Sequence, residues 1–67
     1  MDEKLLTGRE LDILNCAKEG LSNEEIAEKL FISKHTSKAH ISSIIKKLNA
    51  KNRTNAIYKA LKLGFID

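Results

Sequence analysis

Residues 33–48, SKHTSKAHISSIIKKL, hold the densest set of side chains able to grip an anionic partner. Lysines stand at 34, 38, 46 and 47, histidines at 35 and 40, and hydroxyls at 33, 36, 37, 42 and 43, with no carboxylate among them. Lysine brings a full positive charge and three donors, and a hydroxyl both donates and accepts. Such a set suits phosphates and the edges of bases better than it suits bond-breaking. The remaining reactive residues add little. His35 and His40 are five positions apart, whereas ligands sharing a helical face stand three or four apart. Cys16, the single cysteine, sits among apolar neighbours with no adjacent base and reads as a small buried hydrophobe. There is no glycine-rich phosphate loop and no paired acid and base. The expectation is a protein without catalysis, cofactor or metal.

These groups need an element that presents them on one side. Taken as a helix over 34–48, at about 100° per residue, the segment puts Ser37, Ile41, Ile44 and Leu48 on one stripe. His35, Lys38, Ala39, Ser42 and Lys46 gather opposite. His40 falls at the edge of the core stripe and is expected to pack there. A helix that only meets water usually mixes both signs of charge. The outer face here carries cations, hydroxyls and a small residue, which allows close approach to something negative.

The charge distribution points the same way. Residues 1–32 carry eight acidic and four basic side chains, a net of −4; residues 33–67 carry one acidic and eight basic, a net of +7. A basic half within a chain of net charge +3 implies a directed field, for which nucleic acid is the commonest partner and an anionic membrane the weaker alternative. With 67 residues, many of them Leu and Ile, no proline, three glycines and a single cysteine, the chain can form one small helical domain without a disulfide. No apolar run reaches the roughly 20 residues that span a bilayer and no signal peptide is present, so a cytoplasmic protein without membrane contact is expected.

The rest of the chain supplies supporting helices. After an N-terminal arm, with Leu5 and Leu6 folding back on the core, Thr7-Gly8-Arg9-Glu10 fits a capping box. It opens a first helix over about 8–19, with Leu11, Leu14 and Ala17 inward and Gly20 as its stop. Ser22-Asn23-Glu24-Glu25 repeats the signal for a helix over 23–30, with Ile26, Ala27 and Leu30 inward. Phe31 and Ile32 form an apolar turn and Ser33 caps the third helix. A short helix, a tight turn and a longer helix make a helix-turn-helix. Asn49 is expected to end the third helix in a left-handed conformation, and Asn52 to cap a fourth over about 54–63, closed by Gly64. The fourth helix has more apolar positions than one buried face requires, which suggests a self-association surface. The fold class is therefore all-α, a four-helix bundle containing a helix-turn-helix, as a single domain over 1–67 with its core at 5–64.

Leu6-Thr7-Gly8-Arg9-Glu10, Gly20-Leu21-Ser22-Asn23-Glu24-Glu25-Ile26-Ala27, residues 33–40, Lys47-Leu48 and Asn52-Arg53-Thr54 together resemble the LuxR-type (GerE-like) helix-turn-helix domain, in order and spacing over nearly the whole chain. The resemblance implies a third helix in the major groove of double-stranded DNA and a fourth helix that forms a homodimer. It implies base contacts from Lys38, Ala39 and Ser42, and a phosphate contact from Thr36. Asn23, Ser33, Lys34, His35, Lys46, Lys51 and Arg53 are further phosphate candidates by charge or by place at a helix start. The expected dimer face is Ala56, Lys59, Ala60 and Leu63. The chain departs from the family pattern at His35 (usually Lys), Ser37 (usually Val) and Asn49 (usually Gly). Ser37 puts a hydroxyl on the buried stripe, expected to bond back to the carbonyl one turn earlier.

The function implied is regulation of transcription by sequence-specific DNA binding, as the output domain of a NarL-type response regulator or as a free-standing regulator. Further partners would be a receiver domain or histidine kinase upstream and RNA polymerase. Two other readings remain open. A sigma-factor-like domain would bind promoters only with polymerase, and a helical protein-interaction module would not bind DNA.

Overall fold

A computed structural model describes residues 6–67. Four helices follow one another: α1 (Gly8–Lys18), α2 (Asn23–Leu30), α3 (Lys34–Lys47) and α4 (Arg53–Lys62), with no strand among the described residues. Each begins where a polar side chain can satisfy free amides. Thr7 accepts from the Glu10 amide at 3.1 Å while Glu10 accepts from the Thr7 amide at 2.8 Å. Ser22 and Glu25 repeat this reciprocal pair at 3.2 and 2.8 Å. Ser33 and Asn52 cap α3 and α4 by accepting from the amides of Thr36 and Asn55. The N-terminal arm with Leu5 lies outside the described residues; Leu6 is buried in the core.

The stops are equally local. Gly20 (φ 91°) and Gly64 (φ 83°) take the left-handed backbone after α1 and α4, where glycine carries no Cβ penalty. Asn49 (φ 52°) turns the chain after α3, as expected of the non-glycine residue that tolerates this region best. Leu48 caps α3 rather than continuing it. The turn from α2 to α3 is made by Phe31, left-handed at φ 59°.

Helix α3 packs on all three of the others, and α1 does likewise, while α2 and α4 do not meet substantially. The core joins Leu6, Ile13, Leu14, Cys16, Ala17, Ile26, Ile41, Ile44, Leu48, Ala56, Ala60 and Ile66. Burial of each large aliphatic here contributes about 1.5–3 kcal/mol. Two expectations shift. The inner surface of α1 is broader than a stripe of Leu11, Leu14 and Ala17, because α1 has neighbours on three sides: Ile13 is buried, Cys16 is buried as its apolar neighbours implied, and Leu11 is half-buried at the margin. The core also runs past Gly64, since Phe65 packs against it and Ile66 is buried within it.

The Ser37 hydroxyl behaves differently from expectation. The residue is wholly buried, and its Oγ has no hydrogen-bond partner among the described residues. The carbonyl of Ser33, one turn earlier, is taken by the Ser37 backbone amide at 3.0 Å, and the hydroxyl makes no second bond there.

Candidate nucleic-acid interface

The outer face of α3 is built as the spacing dictates. His35, Lys38, Ala39, Ser42 and Lys46 are all exposed, while Ser37, Ile41 and Ile44 are buried beneath them. Lys38 and Ser42 stand one turn apart, close enough to act on neighbouring groups. Ala39, Ser42, Ser43 and Lys46 line a shallow open depression along the helix. His40 is half-buried at its edge. No ion pair among the described residues involves Lys38, Lys46 or Lys51, so their charge is available to a partner.

The flank of α3 beside that depression does something the sequence did not announce. Lys47 places its ammonium 2.8 Å from Glu10 Oε1, and the Ser43 hydroxyl donates to Glu10 Oε2 at 3.1 Å. Glu10 is only 3% exposed. Burial alone would push its carboxyl up. The bonds from Lys47, the Thr7 amide and Ser43, with the Lys47 charge, outweigh this and hold it below its ordinary value of 4.5. One carboxylate thus caps α1 and anchors the C-terminal half of α3. The i, i+4 spacing of Ser43 and Lys47 was a visible signal, but their partner lies 33 and 37 residues away in sequence.

Several expected phosphate groups are already engaged. Ser33 caps α3 and its hydroxyl donates to Thr36 Oγ1 at 2.9 Å. Lys34 pairs with Glu24 at 3.1 Å. Arg53 is half-buried, and its guanidinium donates to Asn23 Oδ1 at 3.1 Å and to the Leu21 carbonyl. Arg53 and Asn23 thus hold the start of α4 to the start of α2, a guanidinium satisfying a carbonyl and a side-chain amide oxygen together. Lys51 and Thr36 remain exposed.

The four residues of the expected dimer face do not share one side of α4. Ala56 and Ala60 are buried in the core of their own chain, their small side chains letting α4 lie close to its neighbours. Lys59 is half-buried and donates to the carbonyls of Asn49 (2.7 Å) and Leu48 (3.4 Å), capping the end of α3. Only Leu63 of that set is exposed. The outward residues of α4 are Thr54, Tyr58, Leu61 and Lys62, the Lys62 ammonium standing 5.8 Å from the centre of the Tyr58 ring. The surplus of apolar residues was legible; which side they lay on was not.

Comparison with known proteins agrees with this architecture. The profile of the luxR family of bacterial regulatory proteins (GerE) matches residues 4–60. The chain is 47% identical over 60 residues to the uncharacterized transcriptional regulatory protein YxjL of Bacillus subtilis (strain 168), covering 90% of this chain and 28% of that protein. The structure of the transcription factor GerE superposes with a TM-score of 0.89 at 39% identity, covering 92% of each chain. The response regulator ChrA of a heme-sensing two-component system gives the same TM-score at 45% identity, covering 92% of this chain and 31% of that one. The chain spans 26% to 30% of the length of the curated relatives it matches. No helix among the described residues is long and apolar enough to cross a membrane. With four capped helices in the order of that family, the carboxylate-free α3 among them, the chain belongs to the luxR family of bacterial regulatory proteins and forms its DNA-binding helix-turn-helix domain.

Proposed function

We propose that this domain binds double-stranded DNA sequence-specifically, with α3 in the major groove, and so regulates transcription. The observation that carries the reading is the outer face of α3: exposed, free of carboxylates and held rigidly by a buried opposite stripe. Lys38 donates to acceptors on guanine, Ser42 bonds adjacent base edges, and Ala39 lets the backbone approach a thymine methyl. Lys46, Lys51, His35 and Thr36 lie against phosphates and fix the register. Lys34 joins them once it leaves Glu24. Mechanism is binding alone: lysines displace condensed counterions while α3 samples bases.

A single domain of this size makes few phosphate contacts and binds weakly by itself. The exposed Tyr58, Leu61 and Leu63 give α4 an apolar surface for pairing with a second copy, so that a homodimer reads two half-sites. The response regulator ChrA, about three times the length of this chain, favours a receiver domain as the switch that controls pairing, with a histidine kinase upstream. RNA polymerase is the final partner of such a regulator.

The test is selection of bound sequences from random duplex DNA with the 67-residue chain. Recovery of a defined motif, with half-sites about 10–10.5 base pairs apart or at multiples of that spacing, supports the reading. Recovery of no enriched sequence, with no duplex retained even at low salt, would sink it.

A further inference from the structure

The two helices of the helix-turn-helix start with opposite charge. The first turn of α2 carries Glu24 and Glu25, while those of α3 and α4 carry no acid. Helix starts attract anions because their free amides and aligned dipoles are positive there. At α2 that attraction is already met from within the chain. Glu25 accepts from the Ser22 amide in the capping box, and the Asn23 side-chain oxygen accepts from Arg53. Glu24 has neither duty. Its Oε2 lies 3.1 Å from the ammonium of Lys34, the first residue of α3, and both side chains are largely exposed. An exposed pair of this kind adds little to stability, about 0–1 kcal/mol, so holding the fold together does not account for it.

We propose that Glu24 is a charge brake on DNA affinity, acting through Lys34. The proposal rests on the DNA-binding reading above. Glu24 neutralises the cation best placed, at the start of the reading helix, to meet a phosphate, and it leaves a fixed negative charge facing any strand that Lys34 would bind. Phosphates are the same in every sequence, so the brake lowers affinity for all duplexes alike and leaves discrimination between them untouched. It keeps a single domain off bulk DNA, so that occupancy depends on two copies acting together on one operator.

The experiment compares the wild-type chain with Glu24→Gln on two probes, a duplex recovered by selection and a scrambled duplex of equal length, over a range of salt. Glu24→Gln is expected to bind both probes about three- to tenfold tighter at low salt and to steepen the salt slope by about one unit, as one added phosphate contact requires. The ratio between probes stays constant. Glu24→Asp, which keeps the charge, behaves as wild type, and in a Lys34→Gln background the gain from Glu24→Gln shrinks. Melting of each variant within about 3 °C of wild type separates the effect from folding. Unchanged affinity and slope in Glu24→Gln, a changed ratio between probes, or a full gain without Lys34 would each overturn the brake while leaving DNA binding intact. Failure of the wild-type chain to hold either probe would instead overturn the reading beneath it.

Discussion

The ammonium of Lys47, in the last turn of α3, lies 2.8 Å from the carboxylate of Glu10, in the first turn of α1, and the carboxylate is almost fully covered. This contact joins the N-terminal capping box to the reading helix, across most of the chain. Lys47 remains a quarter exposed, so the desolvation it suffers is partial. Removing it by Lys47→Met strands a buried carboxylate and is expected to cost about 2 kcal/mol, short of the ~3–5 kcal/mol for a fully buried pair. Urea unfolding at pH 7 measures it.

The same carboxyl sets the acid limit of the fold. Burial works against its ionised form, but the Lys47, Thr7 and Ser43 bonds win and lower its folded pKa below 4.5. A lowered folded value means that the contribution is fully present above the unfolded value and is lost as pH falls through the folded one. Wild-type stability should therefore decline below about pH 4.5 more steeply than that of Glu10→Gln. A pair of urea titrations at pH 7 and pH 3 checks this: the gap between the two proteins narrows at pH 3. An equal gap at both values contradicts it.

Ser37 marks a soft point under the reading helix. Its buried hydroxyl has no partner among the described residues, a condition that costs about 1–3 kcal/mol where it occurs. Ser37→Ala removes the hydroxyl without adding volume and should raise stability by about 1 kcal/mol, seen as a higher urea midpoint with an unchanged slope. DNA affinity should not fall, because the side chain points away from the outer face.

Phe31 combines a left-handed backbone with 94% exposure of its side chain. Neither favours folding, since the conformation costs a non-glycine residue about 1 kcal/mol and the ring buries nothing. Phe31→Asn should stabilise the turn by about 0.5–1 kcal/mol, measured by thermal unfolding. A loss of stability would show that the ring has a partner within the chain.

On the outer face, two lysines should part company. Lys38→Ala should weaken binding to a selected duplex by about 1–3 kcal/mol and relax preference at one base position. Lys46→Gln should weaken binding to every duplex and flatten the salt slope by about one unit. Fluorescence anisotropy across a salt series distinguishes the two patterns. Identical behaviour of the two variants would remove the assignment of Lys38 to bases.

Local chemistry was the most readable part of the chain. The caps at Thr7, Ser22, Ser33 and Asn52 and the stops at Gly20, Asn49 and Gly64 follow from groups within a few residues of each other. The buried and exposed sides of α3 followed from periodicity alone. What escaped were relationships between helices. Arg53 reads as a phosphate candidate from charge, but its bond to Asn23 at the start of α2 was not readable from spacing. Ala56 and Ala60 were expected on a dimer face, yet the angle at which α4 lies turns them inward. Glu10 was legible as a cap, but its second duty depends on where α3 ends in space.

Lys59 reaches from the last turn of α4 to the carbonyls of Leu48 and Asn49, just past the end of α3. Through that strut the two helices share one orientation, so tilting α4 tilts the reading helix with it. A second copy that grips α4 would therefore set the pitch and separation of two reading heads at once, converting an act of assembly into a ruler laid along the duplex.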